Sequence, residues 1–204
     1  PANNPTALPQ GIRVAYVDHA TDAEVGPPDA VSIDYAWAGS GSLAAAIGQE
    51  GLDFAIAAQV AQYVPNLLGW LRGIHAVLRP GGVFNLSLPD RRFMFDVGRA
   101  NSTIAELVEA SLLDYTRPSL RQIFAHTYEA LAIEPGEIWA GEDPARAPRL
   151  CGDAALALAY KQAGETFTSG RYQSCHCWVF TPESFLDLVA AVDAAHHAAC
   201  AIVG

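Results

Sequence analysis

The sequence predicts an α/β fold built on a mostly parallel sheet. Three observations carry that prediction: four brief apolar runs bounded by turn residues, an amphipathic helix between the third and fourth of them, and a largely helical stretch after the fourth. A strand, a helix of about a dozen residues and a second apolar strand form the crossover unit of a parallel sheet.

The four predicted strands are Arg13 to Val17, Val31 to Tyr35, Leu52 to Ala57 and Val83 to Leu88. Between the last two, Leu67, Leu68, Leu71, Ile74, Val77 and Leu78 recur at helical spacing, and Pro80-Gly81-Gly82 stops the helix. Beyond Asp90, Asn101 to Leu113 and Arg121 to Ile133 read as helices, Glu134 to Pro148 as a loop, and Asp153 to Ala163 as a further helix. Cys177 to Phe180 then reads as a strand. Thr181-Pro182-Glu183 supplies an N-cap, a first-turn proline and a first-turn acid for a helix to about Ala195. No repeat or linker divides the 204 residues, so one domain is expected: a cofactor-binding half at 1–96, a helical insertion or lid at 97–175, and a strand and helix at 176–204.

A net charge of −10 with no concentration of Lys and Arg argues against a nucleic-acid partner. No apolar run has the length of a membrane span, and the first twenty residues lack a leader pattern. Cys151, Cys175, Cys177 and Cys200 form no CxxC pair, so reduced thiols and a cytoplasmic location are expected. No metal site is expected either. In a strand, His176 would face away from Cys175 and Cys177, and no second ligand pair stands at zinc-like spacing.

Ligands of an open parallel sheet sit beyond the carboxyl ends of its strands, which here deliver Asp18-His19, Asp34 to Trp37, Ala57 to Gln62 and Pro89-Asp90. From such a strand end Asp18 can accept both hydroxyl hydrogen bonds of a ribose; a solvated aspartate is the alternative. Asp90, Arg91 and Arg92 follow the fourth strand, where Arg would suit an acidic or phosphate-bearing substrate, with surface ion pairing as the alternative. His126 and His176 are the candidate general bases, although a lone histidine of this kind is more often a surface or packing residue. His196 and His197 are adjacent on a helix and do not face one another.

Leu52-Asp53-Phe54-Ala55-Ile56-Ala57, Val64-Pro65-Asn66 and Leu78-Arg79-Pro80-Gly81-Gly82-Val83 together resemble the motifs of class I S-adenosylmethionine-dependent methyltransferases. Tyr16-Val17-Asp18-His19, the segment from Leu88 to Asp96 and the segment from His176 to Phe185 are similar to a bacterial subgroup of these enzymes associated with polysaccharide-assembly proteins. The resemblance implies a Rossmann-like methyltransferase sheet, with S-adenosylmethionine as cofactor and methyl transfer to an oxygen or nitrogen nucleophile of a small molecule or glycan. It implies that Asp18 holds the ribose, that Asp34, Tyr35 and Trp37 frame the adenine, and that Ala57, Ala58 and Gln59 line the methionine end. Pro1-Ala2-Asn3-Asn4-Pro5 looks like the tail of the family's glycine-rich turn, which adds Asn3 and Asn4 to the expected cofactor contacts. The strand before that turn, central in the family's sheet, is missing from the sequence, so a fragment lacking the first strand is expected.

The chain departs from the pattern where such enzymes usually carry a Glu-His pair. It has Gln62-Tyr63 there, and Gln59 where histidine is common. The alternative function is therefore a catalytically silent, methyltransferase-like binding or scaffold module. A nicotinamide-dependent oxidoreductase is a more distant one, because the Pro80-Gly81-Gly82 turn is more typical of methyl transfer.

Overall fold

The computed structural model describes residues 11–19, 32–37 and 41–203, with side chains through Val192. It has an α/β fold with parallel strand pairs. In chain order the elements are β1 (Val17–Asp18), β2 (Tyr35–Ala36), α1 (Leu43–Ile47), β3 (Leu52–Ala58), α2 (Leu67–Val77), β4 (Leu78–Ser87), α3 (Ile104–Leu112), α4 (Leu120–Glu129), α5 (Pro135–Trp139), α6 (Ala155–Ser169) and α7 (Pro182–Val203).

The β3–α2–β4 unit follows the predicted crossover. Asn66 caps α2 by accepting from the Gly69 amide, and Leu67, Trp70, Ile74 and Val77 bury one helical face. β3 and β4 pair in parallel from Phe54↔Val83 to Ala58↔Ser87. Within β4, which starts at Leu78 and not at the expected Val83, a Cβ on Gly82 would stand 2.9 Å from the Arg79 carbonyl oxygen and 3.0 Å from that of Leu52, so this position requires glycine.

β1 and β2 are shorter than predicted. They pair in parallel over Val17↔Tyr35 and Asp18↔Ala36, and among the described residues this ladder is separate from that of β3 and β4. The Tyr16 amide is bonded to the Asp34 carboxylate instead of a neighbouring strand, which ends the ladder ahead of Val17. Trp37, just after β2, lies against Gly73 of α2 and so docks the small ladder on the larger unit.

The expected insertion is built into the same core. Leu107 and Ala110 of α3 and Ile123 of α4 join Leu67, Trp70, Trp178 and Phe180 in one buried cluster. α3 and α4 both start with capping boxes, at Thr103/Glu106 and Ser119/Gln122. α5 occupies part of the stretch read as loop, and α6 runs to Ser169, beyond the expected Ala163.

Among the described residues the expected strand at Cys177 to Phe180 forms no ladder beyond a single bridge, Asp90↔Phe180. Its backbone amides bond elsewhere: Cys177 N–H donates to the Gln62 carbonyl at 2.7 Å, and Val179 N–H to Ser102 Oγ at 3.0 Å. The fully buried Trp178 donates its indole N–H to the Val64 carbonyl at 2.6 Å. This segment thus clamps the loop between β3 and α2 to the chain leaving β4. Among the described residues no helix is long and apolar enough to cross a membrane.

Candidate functional site

The carboxyl end of β3 closes on an unusual backbone. Gln59 takes a left-handed φ of 57°, while its amide donates to the Ser87 carbonyl at 3.0 Å and its side chain to Ser87 Oγ at 3.2 Å. A 3-10 turn, Ala61–Tyr63, follows. The side-chain Nε2 of Gln62 donates to the Gln59 carbonyl at 3.1 Å, which fixes the amide's orientation. Gln62 is 3% exposed, and its Oε1 is sealed from solvent without a hydrogen-bond partner. An orphaned acceptor of this kind has a free-energy cost unless a ligand meets it.

Beside this turn lies a buried ionic cluster. Asp96, in the 3-10 turn Phe95–Gly98 after β4, is 0% exposed; Arg99 is 5% and His176 3% exposed. His176 Nδ1 lies 2.5 Å from Asp96 Oδ2, and Arg99 Nη1 donates to Asp96 Oδ1 at 2.8 Å and to the His176 carbonyl at 3.0 Å. Burial raises the Asp96 carboxyl, but the His176 hydrogen bond and the Arg99 charge outweigh it and hold Asp96 below its ordinary range. Asp96 is therefore an anion, matched by a buried cation.

Rings enclose His176. Tyr63 meets it edge-on with centroids 4.6 Å apart, Phe95 lies at 4.9 Å and His126 at 5.6 Å. The backbone N–H of His176 points to His126 Nδ1 at 3.4 Å. Burial, with added repulsion from His176 and Arg99, outweighs the attraction of Asp96 and pushes His126 down to about 4. Burial also raises the Tyr63 hydroxyl, helped by Asp96 and Cys175.

At the end of β1, Asp18 accepts from the amide of His19 at 2.6 Å and lies 2.7 Å from its Nδ1. Burial raises the Asp18 carboxyl, but its net position is below the ordinary value, with the His19 bonds drawing it down. His19 in turn stacks on Tyr172 at 5.3 Å. Burial pushes the Tyr172 hydroxyl strongly upward, reinforced by Cys177, Cys175 and Asp18. Tyr172 therefore lies against the end of β1.

The other predicted positions divide. Asn3 and Asn4 lie outside the described residues. Asp34 holds the Tyr16 amide through Oδ2 at 2.8 Å, Tyr35 and Trp37 pack against the core, Ala57 is buried in it, and Ala58 and Gln59 are exposed. Arg91 is committed internally, to Asn101 Oδ1 at 2.5 Å and the Val97 carbonyl at 2.8 Å. Half-exposed Arg92 pairs with Asp90, its Nη2 2.6 Å from Oδ2. The structure brings together His126 and His176, and it adds Tyr63, Asp96, Arg99 and Tyr172. A charged pair at 96 and 99 beside the apolar Phe95 and Val97 is the sequence signal that could have marked Asp96 and Arg99. Two recesses, about 420 Å³ beside Arg72 and Ser111 and about 700 Å³ beside Tyr115 and Arg117, are lined by none of the predicted site residues. Among the described residues no group of three His, Cys, Asp or Glu side chains could hold a metal.

No family model, curated protein or solved structure matches the chain.

Proposed function

We propose that this chain is an S-adenosylmethionine-dependent methyltransferase acting on an oxygen or nitrogen nucleophile of a small molecule or glycan. The observation that supports it most is a parallel β3–α2–β4 unit whose carboxyl edge ends in left-handed Gln59 and the buried Gln62, Asp96 and His176 cluster. Polar side chains with perturbed titration at the carboxyl ends of parallel strands are the usual signature of a ligand site. In this reading β1 to β4 are strands of a Rossmann-like methyltransferase sheet, as the sequence motifs imply.

The residues present fit the cofactor's chemistry. S-adenosylmethionine supplies a methyl group already activated by its sulfonium charge, so the protein's task is mainly to hold donor and acceptor in line at near-attack distance. The sealed Gln62 Oε1 is an acceptor that lacks a donor, and it suits an ammonium or amide N–H of a ligand. Asp18, kept ionised, suits the ribose hydroxyls. Tyr35 would border the adenine in this reading, whereas Trp37 serves first to dock β2 on α2. Asp90 and Arg92 are paired on the acceptor side of the chain leaving β4.

Isothermal titration with S-adenosylmethionine and with a nicotinamide dinucleotide tests the reading. Binding of the first alone is expected, and Asp18→Ala should weaken it by roughly 1.5–3 kcal/mol, the scale of hydrogen bonds to a charged group. An unchanged affinity in Asp18→Ala would remove Asp18 from the ribose site. A protein that binds neither ligand would instead fit the silent scaffold module.

A further inference from the structure

We propose that Asp96, itself held by Arg99, is a positioning residue that locks His176 in its Nδ1–H tautomer, so that Nε2 is the proton acceptor for a hydroxyl-bearing methyl acceptor. This rests on the methyl-transfer reading and deepens it. It separates two histidines that the sequence leaves equivalent and names the acceptor's class.

The separation follows from what each ring nitrogen touches. His176 Nδ1 lies 2.5 Å from a buried carboxylate, which accepts only, so Nδ1 carries the proton. In the neutral ring Nε2 then bears the lone pair. It has no hydrogen-bond partner among the described residues, and it is not one of the sealed unpaired atoms, which are Gln62 Oε1 and Gln122 Nε2. His126 is arranged the other way. Its Nδ1 faces the His176 backbone N–H and therefore acts as an acceptor, leaving the proton on Nε2. Having no carboxylate in hydrogen-bond reach, it would become an uncompensated buried cation on accepting a proton.

An alcohol oxygen is a weak nucleophile while it keeps its proton, whereas a neutral amine already offers a lone pair, so a positioned base matters most for a hydroxyl. In the step this geometry serves, the acceptor's O–H proton passes to Nε2 as its oxygen bonds the methyl carbon. The electron pair of the broken carbon–sulfur bond stays on sulfur. Asp96 supplies the counter-charge to the imidazolium, and Arg99 keeps the carboxylate turned toward Nδ1.

The test is long-range proton–nitrogen NMR of the folded chain with labelled histidine, using His176→Gln and His126→Gln to assign the two rings. In the wild type His176 should show the Nδ1–H form and His126 the Nε2–H form; the opposite pattern overturns the proposal without any Asp96 variant having to fold. In Asp96→Asn the amide can donate to Nδ1, so His176 should shift toward Nε2–H. Retention of Nδ1–H there would refute the positioning role. Access to Nε2 is read by diethyl pyrocarbonate and peptide mass mapping: His176 should be modified in the wild type and at least about ten-fold more slowly in Asp96→Asn. A His176 that stays unmodified in the folded protein sinks the proposal. Titration of the same samples with S-adenosylmethionine keeps the two levels apart, since failure to bind it overturns the methyl-transfer reading while the tautomers and reactivities report on the dyad.

Discussion

Lowering the pH should destabilise this protein well before its carboxylates protonate, and His126 is the reason. Its imidazole titrates near 6.5 when unfolded and is pushed down to about 4 by burial in the fold. Between those values the unfolded state binds more protons than the folded state, so stability is intact above about pH 6.5 and is lost as pH falls toward 4. At about 1.4 kcal/mol per pH unit, the full gap amounts to about 3 kcal/mol. By pH 5 about 2 kcal/mol of it should be gone. Asp96 does not confuse the reading, because its contribution, held below the ordinary 3.8, is lost only at still lower pH. Urea unfolding followed by circular dichroism, at half-unit steps from pH 7.5 to 4.5, measures the wild type against His126→Gln. The wild type should lose stability faster, and the difference between the two curves should follow a single titration with these limits. Parallel curves would refute the argument, because another group would then carry the acid sensitivity.

Two substitutions test the frame that holds the site. Gly82→Ala should destabilise by about 1–3 kcal/mol in urea melts, since the added methyl meets two backbone carbonyls that cannot move aside like a side chain. Trp178→Phe should cost about 1–3 kcal/mol by the same measurement, because it strands the Val64 carbonyl that now accepts the indole N–H. A melt indistinguishable from the wild type would contradict either account.

The part of the fold legible in the sequence is the part stabilised by its own pattern. Leu67, Leu68, Leu71, Ile74, Val77 and Leu78 mark α2 to within a residue of its observed end, and the apolar run of β3 differs from its expected bounds only by Ala58. Pattern fails where partners are distant. Arg13 to Val17 has strand composition, yet the Tyr16 amide is taken by the Asp34 carboxylate, so only Val17 and Asp18 pair. Cys177 to Phe180 is as β-prone as any run in the chain, but its amides are claimed by Gln62 and Ser102 before a neighbouring strand can use them. The site divides in the same way. His176 and His126 could be singled out as residue types, whereas the bond that distinguishes them joins positions 80 residues apart and leaves no local trace. Arg91 shows another non-local partner: a basic residue after a strand suggests substrate binding, and in the fold the chain turns back to Asn101, which accepts from the guanidinium.

The segment that carries His176 also holds two thiols, and their seclusion gives the protein an internal clock. Cys175 and Cys177 are buried, and burial together with the neighbouring Cys175 pushes the Cys177 thiol well up, so the reactive thiolate is scarce while the segment stays seated. Partly exposed Cys151 has no such shelter. Alkylation of Cys177 thus proceeds only from states in which this stretch has left its clamp between Gln62 and Ser102. The labelling rate of that one sulfur measures how readily the segment carrying His176 lifts away, on timescales that melting curves average out.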